Sequence, residues 1–193
     1  LVKLDISEEK FEEFKKREIT NEEISELVSK GDINLEEVER IKSTWNEKEN
    51  ELVKTMNEIT NAGIDTGEIT CYIDPYQNGG YYGEDNITVG IYKNPEDILF
   101  VISHELFHVF YWKMLARLNI TKSVMGKEKP FEWEIAEGTV HLLTTDPKMR
   151  KFWKEIDIEI YSEIEDILKK VEELWRKNSF EEYLRKSYEL FKK

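Results

Sequence analysis

Apolar residues recur at helical spacing through the first third of the chain. Ser7 stands before one such segment, and Thr20 forms a capping box with Glu23 before a second segment that Gly31 closes. From Asn34 onward, apolar residues three, four or seven positions apart predict a longer helix that ends at Gly63. They are Leu35, Val38, Ile41, Trp45, Leu52, Met56 and Ile59. Such a stripe is typical of core packing; a groove for a cofactor or a partner is the alternative.

The pattern then changes to a two-residue repeat. In residues 68–74 (EITCYID) and 87–92 (ITVGIY), apolar positions alternate with others, which predicts half-buried strands. The intervening PYQNGGYYGEDN is rich in turn residues, and Tyr81 and Tyr82 within it are interpreted as a short strand.

Helical signals return with Asn94 as N-cap and Pro95 at the first helical position. This helix is expected to run to about Leu118, and a second helix is expected over residues 132–143. From Pro147 onward the chain is rich in acids and lysines and predicts a helical tail. The apolar stripe of this tail consists of Phe152, Trp153, Ile156, Ile160, Ile164, Leu168, Val171 and Trp175. The tail either completes the core or covers a cleft.

These elements predict one α+β domain in three parts. Residues 1–62 form a helical N-terminal part, residues 63–146 form a core with a small sheet, and residues 147–193 form the helical tail. The chain has 193 residues, of which 39% are hydrophobic, enough for one substantial core.

Composition limits the partners and the compartment. The net charge of -13 would repel the phosphates of a nucleic acid. No apolar run approaches the length of a membrane span, so we expect a cytoplasmic protein that does not bind membranes. Cys71 is the only cysteine and lies in a strand pattern, which favours a buried apolar role. Abundant glutamate and lysine with a single glutamine, Gln77, is typical of hyperthermophile proteins.

The segment VISHELFHVF carries two of the three histidines in the middle of a predicted helix. His104 and His108 are four residues apart, so they point the same way, about 40° apart around the helix, and can bind one metal ion. Glu105 is rotated by about 100° from His104 but can reach a water held by that metal. The spacing is that of the HExxH motif, in which the glutamate is a general base.

An open zinc site needs a third protein ligand. No cysteine follows the motif, and the candidates crowd the short predicted helix in PFEWEIAEGTVHLLTTD. They are Glu132, Glu134, Glu137 and His141.

HELFH followed, after 28 intervening residues, by Glu137 and Gly138 in WEIAEGTV resembles the gluzincin metallopeptidases. In the aminopeptidase N family the third ligand is the glutamate before a glycine. The resemblance implies a zincin-like fold, Zn²⁺ on His104, His108 and Glu137, and hydrolysis of a peptide or protein substrate with Glu105 as base. Glu134 and His141 remain alternative third ligands. If Glu137 is the ligand, His141 is expected to lie beside the metal site, as a partner of a ligand or as a hydrogen-bond donor in the transition state.

The same resemblance implies that substrate adds as a strand to a sheet edge, and that a tyrosine or histidine stabilises the oxyanion. Tyr81, Tyr82, Tyr161 and His141 are the candidates. Two features depart from the aminopeptidase family: the spacing from His108 to Glu137 is longer, and no exopeptidase motif is present, so aminopeptidase activity is not implied. The third histidine of metzincins is also absent. A metal-binding scaffold without turnover and a helical interaction protein are the alternative functions; nothing in the sequence indicates the oligomeric state.

Overall fold

A computed structural model of the protein describes residues 2–6, 35–63, 67–74, 79–90, 92, 94–121, 130–158 and 160–191. The two helices predicted after Ser7 and Thr20 lie outside these residues. The fold is mixed α+β, with a small sheet and helices that carry most of the described chain.

The sheet has four strands in the order β1-β2-β4-β3. They are β1 (Val2–Ile6), β2 (Ile69–Ile73), β3 (Gly80–Tyr82) and β4 (Asn86–Val89). β2 runs parallel to both β1 and β4, while β3 pairs with β4 in the antiparallel sense. β2, β3 and β4 confirm the predicted strands, whereas β1 was not predicted.

Alternating burial explains the period of two in the central strands. Ile69, Cys71 and Ile73 of β2 are buried while the residues between them are half-buried, and Ile87 and Val89 of β4 follow the same alternation. Cys71 is fully buried, which raises the pKa of its thiol, so the predicted apolar role is confirmed.

The helices before the tail lie where the apolar periodicity predicts them. They are α1 (Leu35–Thr60), α2 (Pro95–Arg117) and α3 (Pro130–Thr145). Asn94 caps α2 as predicted, because its side chain accepts a hydrogen bond from the Glu96 amide. Of the α1 stripe, Ile41, Trp45, Leu52 and Met56 are buried, which confirms core packing.

α2 is the central helix of the described structure. It contacts α1, α3, β3 and β4. Its buried residues lie all around the helix and are not confined to one stripe. By length and composition α2 could cross a membrane, but 78% of its apolar window is buried inside the fold. Burial of this kind is found in core helices of globular proteins.

The tail is not one continuous helix, which corrects the prediction. It comprises α4 (Pro147–Arg150), a 3-10 turn (Ser162–Ile164), α5 (Glu165–Lys177) and α6 (Phe180–Phe191). Between α4 and the 3-10 turn, the described residues 151–158 and 160–161 form no helix. Trp153, Val171 and Tyr183 of the tail are fully buried, so the tail completes the core.

Candidate metal centre

The two histidines of HELFH lie one turn apart on the buried face of α2. His108 is 1% exposed, while the His104 side chain retains 21% exposure. Their Nε2 atoms are 3.2 Å apart. The helical spacing therefore directs both imidazoles to one point, as the motif predicts.

α3 packs against α2 and brings Glu137 to the same point. One Glu137 carboxylate oxygen lies 3.2 Å from His108 Nε2 and the other lies 3.6 Å from His104 Nε2. Ligand atoms of these three residues all lie within 4.8 Å of one another. Gly138 supports this position of α3, because a Cβ there would come within 3.3 Å of the Val171 side chain on α5.

The chemistry of this triad fits a divalent metal ion. Of two imidazole nitrogens that face each other, only one can donate a proton, and the carboxylate oxygens beside them only accept. The group therefore concentrates lone pairs at a largely buried point, where a cation would satisfy them. Two histidines and one glutamate are a donor set of catalytic zinc sites that leave one position open. His108 Nδ1 has no hydrogen-bond partner among the described residues.

The three groups shift one another's pKa values. Burial would raise the pKa of Glu137, but the neighbouring imidazoles of His104 and His108 outweigh burial and lower the value to about 2. Burial would lower the pKa of His104, yet Glu137 and the charge of Glu105 raise it overall. For His108, burial dominates and lowers the pKa.

Glu105 lies beside the triad but is not part of it. It is 7% exposed, and its pKa rises to about 7 because burial and the Glu137 charge outweigh the attraction of His104. β3 approaches it closely: a Cβ built on Gly80 would lie 2.6 Å from Glu105 Cδ and closer still to its Cγ and Oε1. A side chain at position 80 would therefore have to displace the carboxylate of Glu105.

A cleft of about 280 Å³ joins Glu105 to the triad. It is lined by Gly80, Tyr81, Tyr82, His104, Glu105, His108, Trp133, Glu137 and Tyr161. The structure thus brings the predicted base and the three predicted ligands to one cleft beside the sheet edge.

Tyr82 holds the imidazole of His108 in place. The two rings stack with centroids 4.4 Å apart and planes 15° from parallel. The Tyr82 hydroxyl accepts a hydrogen bond from Trp112 Nε1 at 3.3 Å. Burial raises the pKa of Tyr82 to about 12, so its hydroxyl stays protonated at neutral pH.

The other predicted site residues are not members of the triad. Glu134 is half-buried and is not one of the three converging ligands; Glu132 is fully buried and accepts a hydrogen bond from Thr121. His141 is half-buried and lines a second cavity, which shares His104, Glu137 and Tyr161 with the cleft but is not lined by Glu105. Burial lowers the pKa of His141. Tyr161 lines both the cleft and the second cavity.

Sequence reasoning missed Gly80, Trp133 and Phe100. Gly80 appeared only as a turn residue. Trp133 is 37% exposed beside Tyr161, with ring centroids 6.1 Å apart, and Phe100 lies one turn before His104 with centroids 5.9 Å apart. Phe100 lies four residues before His104, so its place beside His104 on the same helix face could have been predicted from the spacing.

Comparisons with protein-family models, with curated proteins and with solved structures returned no match.

Proposed function

We propose that this protein is a zinc-dependent peptidase of gluzincin type that cleaves peptide bonds inside a chain. The observation that supports the proposal most strongly is the convergence of His104, His108 and Glu137, with Glu105 buried in the same cleft but outside the ligand set. A site that only bound metal would need the ligands and would not require Glu105 in this cleft.

Zinc at this triad would supply Lewis acidity, which lowers the pKa of a water molecule to about 7 and polarises a substrate carbonyl. Glu105 accepts the proton of the attacking water at its carboxylate. It then delivers that proton to the leaving amine nitrogen. Its close contact with Gly80 limits the space available to the carboxylate, so that the base keeps one position relative to the cleft.

We assign the oxyanion donor to Tyr161. Tyr81 is as exposed as Tyr161, 56% against 55%, but it does not line the second cavity next to Glu137. The Tyr82 ring is stacked on His108 with its hydroxyl engaged by Trp112. His141 lines the second cavity but not the cleft that contains Glu105. Tyr161 lines both cavities, and its pKa, raised by burial and by the charges of Glu137 and Glu105, keeps its hydroxyl a donor.

The substrate would add to the sheet at β3. Within the described residues β3 pairs only with β4, so its other edge is available to an extended peptide. Gly80, Tyr81 and Tyr82 of β3 all line the cleft. Three features together support a zincin-like fold: the small mixed sheet has an antiparallel edge strand, one helix carries HELFH, and a second helix carries Glu137.

The test combines metal analysis with cleavage of a quenched-fluorescence peptide library. Protein purified without chelator or metal-affinity resin is expected to carry about one zinc per chain and to cleave peptides internally. The Glu105→Gln variant is expected to carry the same zinc and to cleave far more slowly. Zinc retention without cleavage by the wild type would favour a non-catalytic metal site, and absence of zinc binding would overturn the proposal.

A further inference from the structure

A strongly acidic part of the tail borders the metal centre. Residues 155–166 (EIDIEIYSEIED), here called the acidic segment, contain six acids and no lysine or arginine. The segment runs through the 3-10 turn into the start of α5. It contributes Tyr161 to the cleft, and it contributes five residues to the second cavity, namely Asp157, Ile158, Ile160, Tyr161 and Ile164. A substrate in either cavity would therefore lie against this segment.

Two carboxylates of the acidic segment lack a positively charged partner. Asp157 and Glu163 are exposed, and neither forms an ion pair within the described ranges. The nearby guanidinium of Arg150 is engaged elsewhere, because it donates to the backbone carbonyls of Lys154 and Ile156. The charges of Asp157 and Glu163 are thus available to a ligand.

The lining of the two cavities does not compensate these charges. Neither the cleft nor the second cavity is lined by a lysine or an arginine in the part of the chain that the structure describes. Burial raises the pKa of Tyr161, and the charges of Glu137, Glu105 and Glu163 raise it further, so the field of Glu163 reaches the cleft. In a chain with a net charge of -13, such a field attracts cations and repels anions, most strongly at low ionic strength.

Three partly exposed aromatic side chains of the cleft offer a second kind of contact to a cation. Trp133 is 37% exposed, and Tyr81 and Tyr161 are more exposed still. An ammonium or guanidinium group binds over the face of such a ring, and most strongly over tryptophan. The aliphatic stem of lysine or arginine packs on apolar surface at the same time. Aromatic faces beside unpaired carboxylates are therefore suited to these two side chains.

We propose that the substrates of this protein are basic peptides, whose lysine or arginine side chains bind Asp157 and Glu163 of the acidic segment and the aromatic rings of the cleft. The inference rests on the proposed function, because it names the substrate class of the same site. Zinc at the triad would add two positive charges, but Glu137 and Glu105 lie in the same cleft, and the charges of the acidic segment come in addition. The acidic segment thereby selects the substrate as well as contributing to the fold.

The test measures binding, so that it does not depend on turnover. Three fluorescent serine-alanine peptides of equal length carry lysine, alanine or glutamate at two central positions. Each is titrated into the zinc-loaded Glu105→Gln variant, and fluorescence anisotropy gives the Kd. At low ionic strength we expect the lysine peptide to bind about 10-fold more tightly than the alanine peptide, and the glutamate peptide to bind most weakly. The differences should shrink as salt is added.

Adding Asp157→Asn and Glu163→Gln removes the two unpaired charges and nearly preserves the size of both side chains. We expect most of the preference for lysine to be lost while zinc is retained. Glu47→Gln with Glu58→Gln is the matched control, because both glutamates are exposed on α1, line neither cavity of the metal centre and change the net charge by the same amount. The control should keep the preference for lysine.

The negative results have different meanings. Equal affinity for the three peptides, or a lysine preference that Asp157→Asn and Glu163→Gln do not change, would overturn the inference and leave the metal centre intact. An equal loss of the preference in the control would also overturn it, because the net charge and not the acidic segment would then be responsible. Failure of the zinc-loaded protein to bind any of the peptides would overturn the peptide site on which the inference rests.

Discussion

Two glutamates with the same burial lie in the cleft of the metal centre, and their pKa values are shifted in opposite directions. Glu105 on α2 and Glu137 on α3 are each 7% exposed. The pKa of Glu105 is raised to about 7, chiefly by burial, whereas that of Glu137 is lowered to about 2 because the imidazoles of His104 and His108 lie against it. The difference comes from the neighbours and not from the depth of burial.

This contrast separates the roles of the two carboxylates. Glu137 is held as an anion between two nitrogens, which is the state a metal ligand requires. Glu105 has no such donors and lies against the backbone of β3, where it can exchange a proton. If the assignment is right, removing each carboxylate must damage the protein in a different way.

The largest effect is expected from Glu137→Ala. The variant deletes one of three protein ligands, so zinc affinity should fall by about 10³-fold or more, as measured by competition with a chromophoric chelator. The stabilisation that zinc gives against thermal unfolding should fall with it.

Glu134→Ala is the control for this ligand assignment, because Glu134 lies one turn earlier on the same helix. It should keep zinc. If Glu134→Ala loses zinc and Glu137→Ala keeps it, the assignment is wrong by one helical turn; if both keep it, the third ligand lies elsewhere.

Glu105→Gln should separate catalysis from binding. Glutamine preserves the size of the side chain but cannot accept a proton near neutral pH, so the cleavage rate should fall by about 10²- to 10⁴-fold. Zinc affinity and the midpoint of thermal unfolding should stay close to those of the wild type. Loss of zinc in this variant would contradict the division of roles between the two glutamates.

Tyr161→Phe removes the hydroxyl that we assign to the oxyanion. We expect kcat to fall by about 10²-fold with KM little changed, because the hydrogen bond forms only in the transition state. Tyr81→Phe removes the hydroxyl of a similarly exposed tyrosine that lines the cleft but not the second cavity, and it should have little effect. Equal losses in the two variants would argue against Tyr161 as the donor.

A smaller effect is expected from Gly80→Ala. The added methyl group would overlap the Glu105 side chain and displace the base, so kcat should fall by about 10-fold while zinc affinity is kept. Gly83→Ala, in the same hairpin, would meet only the Asn86 side chain. Equal activity of the two variants would show that Gly80 does not position Glu105.

The sequence predicted those parts of the fold whose signals are local. α1, α2 and three strands follow from apolar periods and from the Asn94 cap. β1 was missed because its partner β2 lies more than sixty residues away, and parallel pairing over that distance leaves no local pattern. The break in the tail was also missed. Ile156, Ile158 and Ile160 alternate with acids there, which favours extended chain, but the longer helical stripe concealed this pattern.

The same distinction applies to the site. His104, Glu105 and His108 share one helical motif, so their relation follows from helix geometry alone. Glu137 could be chosen as the third ligand, over Glu134 and His141, only from the family resemblance or from the packing of α3 on α2. The positions of Gly80 and Trp133 depend on how β3 and α3 each pack on α2, which no local spacing encodes.

The most direct test of the central claim is anomalous X-ray scattering at the zinc edge from crystals of the zinc-loaded protein. We predict one peak per chain, about 2.0–2.2 Å from His104 Nε2, His108 Nε2 and a carboxylate oxygen of Glu137, with Glu105 outside bonding distance. A peak bound by Glu134 or Glu105 in place of Glu137, or no peak at these histidines, would contradict the account.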